Sequence, residues 1–326
     1  MNARRPLPPP LDEDSFSTAE LRAAGLGLDR TTARDVQRFS HGLYRPSGPS
    51  QPSWESSGLA DPGHGLSPQD VRALLRHRTD AVVSHQSAGH LYQVPLLRWT
   101  SPPHASLHVS VPHGGSRIRR AGIVEHRRAV PEADVVHRLG IRVTGAARTW
   151  LDLATVSPPL GRDELVIAGD HLVRHPWLTG VGRTEPLTTV AEIRAALQRA
   201  GRFRGVTAAR EALELVRVGA DSPPETRTRL ALVDAGLPEP ELQVPADPAD
   251  PYSPRADLGL VRWKIALQYE GYHHRDARQQ AADARRDVWF QLHGWLVIKI
   301  TSEDLHDGFR RVVRLVRERI AASPGR

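Results

Sequence analysis

Arg255-Ala256-Asp257-Leu258-Gly259-Leu260, followed by Lys264-Ile265-Ala266-Leu267-Gln268-Tyr269-Glu270, is the stretch on which the reading of this chain turns. Ala256–Leu260 and Lys264–Tyr269 have the apolar, β-compatible make-up of two adjacent strands. Side chains alternate faces along a strand, so Gln268 and Glu270 point one way and Tyr269 the other. A neighbouring strand can bring Asp257 beside them. Oxygen ligands grouped in this way, from Asp257, Gln268 and Glu270, suit a hard divalent ion such as Mg²⁺ or Mn²⁺. Such an ion lowers the pKa of a bound water and stabilises charge developing on a phosphate.

The flanking segments complete an α/β pattern over residues 222–320. Glu225–Asp234 reads as a helix that Gly236 ends, and 238–254 as a Pro- and Asp-rich loop. Ala277–Leu292 forms a polar helix, Gly294 stops it, and Trp295–Ile300 is a third strand. Phe309, Val312, Val313, Val316 and Ile320 recur at helical spacing in an Arg-rich final helix. Ser222-x-x-Glu225 can be a capping box, with Glu225 bonded back to the Ser222 amide, or Glu225 can belong to the acidic site. Asp283 and Arg286 stand at i, i+3 and can pair with each other.

Arg255-Ala256-Asp257-Leu258, Gln268-Tyr269-Glu270-Gly271-Tyr272-His273-His274, Asp283-Ala284-Arg285-Arg286 and Gly294 through Lys299 together resemble one family. It is the uncharacterised domain related to very-short-patch-repair endonucleases, within the PD-(D/E)xK nuclease superfamily. Ser222 through Arg227, with Gly236-Leu237-Pro238, resembles the start of that domain. The resemblance covers about a third of the chain and implies a restriction-endonuclease-like α/β fold. It implies Asp257 as the central metal ligand, Glu225 as the helix carboxylate that orients water or metal, and Gln268-Tyr269-Glu270 as the (D/E)xK element. His274 would contact phosphate or relay a proton. The chain departs from the family where Gln268 replaces an acid and Glu270 an Asp. The triplet has no Lys, and Lys299 on the next strand would stand in for it.

Near the N-terminus, residues 1–14 read as a disordered lead and 15–48 as a small unit. Ser17 or Thr18 caps a helix over Ala19–Ala24, and a second helix is expected over Arg30–Phe39. His41-Gly42-Leu43-Tyr44-Arg45 has the look of a hairpin wing. Phe16 through Gly25, with Gly42-Leu43-Tyr44-Arg45, resembles the winged-helix domain of AbiE-type antitoxins, which implies DNA binding and repression. Arg30, Arg34 and Arg38 would line one face of the second helix, and with Arg45 of the wing they are the candidate DNA contacts. A solvated helix face is the plainer alternative.

Residues 67–217 form a mixed α/β middle region, preceded by a Pro/Ser/Gly-rich loop. Ser67–Arg76 and Ser84–Tyr92 read as helical. Ala81-Val82-Val83, Leu107–Val111, Gly122–His126 and Ile141–Val143 read as strands, and a helix runs from Gly145 through Leu153. Ser84-His85 is weak as a catalytic dyad, and His85 and His90 are poorly spaced for a metal. Arg148 and Asp152 sit at i, i+4 and suit a helical ion pair.

The 326 residues, 39% hydrophobic and 25% charged, imply several globular domains, α/β in class and α+β overall. No cysteine is present, which excludes disulfides and Cys-based zinc sites. Neither a signal peptide nor a membrane span is read, so a cytoplasmic protein without membrane contact is expected. The net charge of +7 is compatible with a polyanionic partner, although Lys occurs only at Lys264 and Lys299 and Arg spread over solvated faces gives the same sum. The reading is a DNA-binding protein with a nuclease-like domain, capable of Mg²⁺-dependent phosphodiester cleavage. The alternative is a non-enzymatic antitoxin-type regulator with a degenerate nuclease fold, for which a toxin protein is the further partner.

Overall fold

A computed structural model of the chain describes residues 6–9, 11–47, 66–76, 78–95, 106–114, 117–120, 122–156, 159–178, 180–270 and 277–322. The structure is mixed α/β, as expected. It divides into an N-terminal unit, Met1–Pro159 with Ala195–Arg204, and a C-terminal unit, Leu160–Arg194 with Gly205–Arg326. The boundary near 159 differs from the one expected near 217–222.

In the N-terminal unit, β1 (Phe16–Ser17), α1 (Thr18–Ala23), β2 (Val36–Ser40) and β3 (Leu43–Pro46) form the first substructure, with strand order β1-β3-β2. Ser17 caps α1 in a capping box with Glu20. The expected second helix over 30–39 does not form. The Thr31 and Thr32 hydroxyls donate to the carbonyls of Leu28 and Asp29 at 2.7 and 2.8 Å, closing a 3-10 turn over Leu28–Thr32. Such local bonding competes with a helix. Val36–Ser40 then runs as a strand, and Gly42, at φ +67°, turns it back into β3. Within the lead expected at 1–14, Leu7 and Leu11 are buried against Phe16, Leu21, Leu26, Val36 and Tyr44, and residues 1–5 and 10 lie outside the described residues. Each such burial stabilises by about 1.5–3 kcal/mol.

The rest of this unit is a five-stranded sheet of β4 (Val82–Val83), β5 (Leu107–Val111), β6 (Ile123–Arg127), β7 (Val135–Arg138) and β8 (Ile141–Thr144), in the order β6-β5-β4-β8-β7. The helices α2 (Pro68–Leu75), α3 (His85–Leu91) and α4 (Ala146–Leu153) accompany it. Trp150 of α4 is fully buried. β7 has no counterpart in the sequence reading, because Val135-Val136-His137-Arg138 is short and half polar.

The C-terminal unit opens with α5 (Arg162–Val173) and a small hairpin of β9 (Trp177–Leu178) and β10 (Gly182–Arg183). Helix α6 (Val190–Ala200) spans the division between the units, and α7 (Val206–Leu215) and α8 (Pro223–Asp234) follow. The sheet β11 (Glu241–Pro245), β12 (Arg255–Leu260), β13 (Ile265–Tyr269) and β14 (Leu296–Ile300) lies in sequence order, antiparallel up to β13 and parallel between β13 and β14. The parallel step follows from the crossover helix α9 (Ala277–Leu292), which a parallel pair needs. Helices α10 (Ser302–His306) and α11 (Arg310–Ala321) end the unit. Strand β11 falls inside the segment expected to be a loop.

Alternation along β13 sets the layers. Ile265 and Leu267 join Leu258, Leu260, Ile298, Ile300, Val312 and Val316 in one core, whereas Ala266 packs with Phe290 and Trp295 in another. Phe290 and Trp295 meet edge to face at 5.6 Å, and the Trp295 ring N–H donates to the Ala246 carbonyl at 2.9 Å. Trp295 is therefore a core residue, as its sequence context suggests. Among the described residues no helix is long and apolar enough to cross a membrane.

Candidate functional site

Register assembles the acidic site of the C-terminal unit. Leu258 pairs with Leu267 across β12 and β13, so Asp257 and Gln268 lie one residue beyond that pair. The Tyr269 backbone N–H donates to Asp257 Oδ2 at 2.8 Å. In the parallel ladder Gln268 stands opposite Lys299. Lys299 Nζ donates to Gln268 Oε1 at 2.8 Å and to Asp287 Oδ1 of α9 at 2.7 Å, and lies 3.6 Å from Glu270 Oε1. Asp257, Gln268, Glu270 and Lys299 thus gather at one end of β13, with Asp287 added from α9. Asp287 follows Asp283 by four residues on a helix, a spacing that signals a shared face.

Glu225 reaches the same site from the first turn of α8. It does not form the expected capping box. Its Oε2 accepts the Asp221 N–H at 2.9 Å and its Oε1 accepts the Ser222 hydroxyl at 2.7 Å, one residue earlier than the Ser222 amide. Burial, with the like charge of Asp257 second, pushes the Glu225 carboxyl up to about 8. At neutral pH the Glu225 carboxyl is therefore largely protonated. Burial also raises Asp257, against the opposing pull of the Tyr269 N–H, Arg286 and Lys299. Arg286 pairs with Asp283 at 3.2 Å, as their spacing suggests. His274 lies outside the described residues.

The donor set can be tested against the ion that the nuclease resemblance implies. Lys299 donates and has no acceptor, which fixes Gln268 with its carbonyl oxygen toward the ammonium. Gln268 is fully buried and its Nε2 then has no partner among the described residues. With its oxygen held by the ammonium and its N–H donor facing the site, Gln268 offers Mg²⁺ no ligand atom. Among the described residues no three His, Asp or Glu side chains are grouped to hold a metal ion. The residues as arranged do not fit a divalent ion.

The four arginines expected to contact DNA are placed differently from one another. Arg30 is buried, with its guanidinium gripping Asp35 at 2.7 and 2.5 Å. Arg45 Nη1 donates to the fully buried carboxylate of Asp70 at 2.5 Å, and its Nε donates to Gln37. Both are held in ion pairs, and the row expected along a second helix is not formed. Arg34 and Arg38 remain exposed. Arg38 donates to the Ser40 carbonyl at 3.2 Å and lies 3.0 Å from His41 Nδ1. Arg120 donates to the His41 carbonyl at 2.7 Å and approaches Ser40 Oγ at 3.3 Å. This anchors a segment with exposed Arg117 and Arg119 beside the hairpin turn. Arg117-Ile118-Arg119-Arg120 is the signal in sequence that would have found it. Glu125 accepts the Ile118 N–H at 2.6 Å.

The five-stranded sheet of the N-terminal unit holds a histidine cluster. His85 stacks on His126 at 3.4 Å, and His108 Nδ1 lies 2.9 Å from His126 Nε2. Ser110 donates to Ser84, which lies 2.8 Å from His85 Nδ1. Burial, then the charges of its neighbours, drives His85 down to about 2, and burial drives His126 to about 4. Nearby, Arg148 donates to Asp152 at 2.8 Å, the i, i+4 pair expected from the sequence.

No protein-family model matches the chain, and no solved structure matches it. It is similar to two uncharacterized proteins of Mycobacterium tuberculosis, MT2308 of strain CDC 1551 / Oshkosh and Rv2248 of strain H37Rv. To each it is 33% identical over 103 residues, 31% of this chain. The match spans 38% of the length of those relatives.

Proposed function

We propose that this chain is a DNA-binding protein in which a C-terminal unit of nuclease type serves binding rather than cutting. The observation that carries the reading is the arginine group at the Ser40–His41 turn, where Arg38 and Arg120 converge and exposed Arg117 and Arg119 adjoin. Exposed guanidiniums beside a turn suit the phosphate backbone, which supplies most of the sequence-independent affinity for DNA. The net charge of +7 acts in the same direction.

In this reading the C-terminal unit is a nuclease-like site whose residues do not suit an ion. Lys299 and the Gln268 amide place hydrogen-bond donors among the carboxylates there. Phosphodiester hydrolysis with Mg²⁺ or Mn²⁺ at Asp257, Gln268 and Glu270 is the rival reading, and the donor set argues against it. In the antitoxin-type form of the proposal the chain represses its own promoter and a toxin encoded beside it is the partner.

The experiment pairs two assays. A mobility-shift titration uses the DNA upstream of the chain's own gene, with wild type and an Arg38→Ala/Arg117→Ala/Arg119→Ala variant. Supercoiled plasmid with Mg²⁺ or Mn²⁺ is incubated beside an Asp257→Ala variant. A shift weakened by the triple substitution, with intact plasmid, supports the proposal. Nicking abolished by Asp257→Ala establishes the rival, and an unshifted probe removes DNA binding.

A further inference from the structure

The C-terminal site carries a cation of its own. Lys299 is one of only two lysines in the chain. Its ammonium has three donors, and the structure gives it Gln268 Oε1 at 2.8 Å, Asp287 Oδ1 at 2.7 Å and, more distantly, Glu270 Oε1 at 3.6 Å. These acceptors come from β13, from the residue that follows it and from α9, so the ammonium ties the crossover helix to the strand that carries the triplet. An Arg in this position would need a planar fork of acceptors, whereas Lys delivers a compact point charge. Gln268 fits that role. A Glu there would add a third carboxylate around the ammonium, and the neutral amide leaves the local charge nearer balance. The buried Gln268 Nε2 has no partner among the described residues because the amide oxygen is turned to Lys299. Arg286, the second cation facing Asp257, is engaged by Asp283.

We propose that Lys299 is the resident cation of this site, its ammonium occupying among Gln268, Glu270 and Asp287 the place that a divalent ion would take, so that the folded chain has no saturable Mg²⁺ or Mn²⁺ site at Asp257. The inference rests on the non-cutting half of the proposed function, since it concerns the same C-terminal residues, and is independent of the arginine group at the Ser40–His41 turn; the titration without DNA therefore fails or succeeds apart from the DNA-binding assay. Removal of the ammonium leaves the Asp287 and Glu270 carboxylates and the Gln268 oxygen without the cation they face, and these hard oxygen donors, with Asp257 paired beside Gln268, can draw together around Mn²⁺. A divalent site should then appear.

The test is Mn²⁺ titration of the full chain without DNA, followed by the loss of the free-ion paramagnetic resonance signal. Wild type is expected to show no saturable binding. Lys299→Ala and Lys299→Gln are expected to bind at least about tenfold more tightly than wild type, because a unit charge a few ångströms from the ion is removed. Addition of Asp257→Asn to either variant should abolish the gain. Saturable binding in wild type that Asp257→Asn removes overturns the proposal without any Lys299 variant. Folded Lys299 variants that bind no better than wild type overturn it as well. Should both variants fail to fold in plain buffer, recovery of a cooperative melt in millimolar Mn²⁺ supports the proposal, and failure to recover overturns it.

Discussion

Lys299 donates to the side-chain oxygen of Gln268 at 2.8 Å, across two parallel strands that hold the two residues in register. Gln268 is fully buried, so the bond lies where an unmet donor or acceptor is costly. Replacement of Gln268 by Leu removes the acceptor and leaves the ammonium with its carboxylate partners alone. The expected cost is roughly 1–3 kcal/mol, read from the urea midpoint. A midpoint equal to that of wild type would show that the pair contributes nothing to the fold.

Glu225 makes the C-terminal unit sensitive to alkali. Its folded pKa, about 8, is above the ordinary 4.5, so folding takes up a proton between those values. That stability is fully present below about 4.5 and is lost as pH rises through about 8. Glu225→Gln keeps the neutral shape and removes the titration. Wild type should be less stable at pH 8.5 than at pH 5.5, and the variant's difference should be smaller by about 1 kcal/mol or more. Identical pH differences in the two proteins would show that Glu225 titrates normally.

The histidine cluster works in the opposite direction on the N-terminal unit. His85 and His126 titrate at about 2 and about 4 when folded, below the ordinary 6.5. Their contribution is present above about 6.5 and fades as pH falls toward those values. Between pH 7 and pH 5 the His126 share of the loss is roughly 2 kcal/mol. His126→Gln should flatten the decline in melting temperature over that range, and an equally steep decline would remove His126 from the explanation.

Arg45 should matter for folding and not for DNA. Arg45→Ala strands the buried Asp70 carboxylate, leaving it the Ser15 hydroxyl and the Ser67 amide. The expected cost is roughly 2–3 kcal/mol in unfolding free energy, with the salt dependence of DNA binding unchanged. A folded, fully stable variant with weakened DNA binding would return Arg45 to the contact surface.

The C-terminal unit was legible because its signals are local. Ala256–Leu260, Lys264–Tyr269 and Trp295–Ile300 are bounded by turn residues, and the helix between the last two forces a parallel pair. Strand β11 was hidden because Glu241-Leu242-Gln243-Val244-Pro245 sits among prolines and two of its five side chains are polar. The row Arg30, Arg34, Arg38 has helical spacing, yet Thr31 and Thr32 bond to the local backbone and Val36–Ser40 pairs with β3. Spacing alone does not record that competition. Asp257, Gln268, Glu270 and Glu225 were visible as candidates. That Lys299 would claim the Gln268 oxygen depends on strand register and on Asp287 from α9, neither of which any short motif states.

The DNA-binding proposal is tested most directly by the salt dependence of affinity for a short duplex, measured by fluorescence anisotropy. Each phosphate contact contributes about 0.9 to the slope of log affinity against log salt. Wild type should bind with a steep negative slope, and Arg38→Ala/Arg117→Ala/Arg119→Ala should reduce its magnitude by about 2–3. A slope that the triple substitution leaves unchanged, or a wild-type chain that does not bind the duplex, would contradict the proposal.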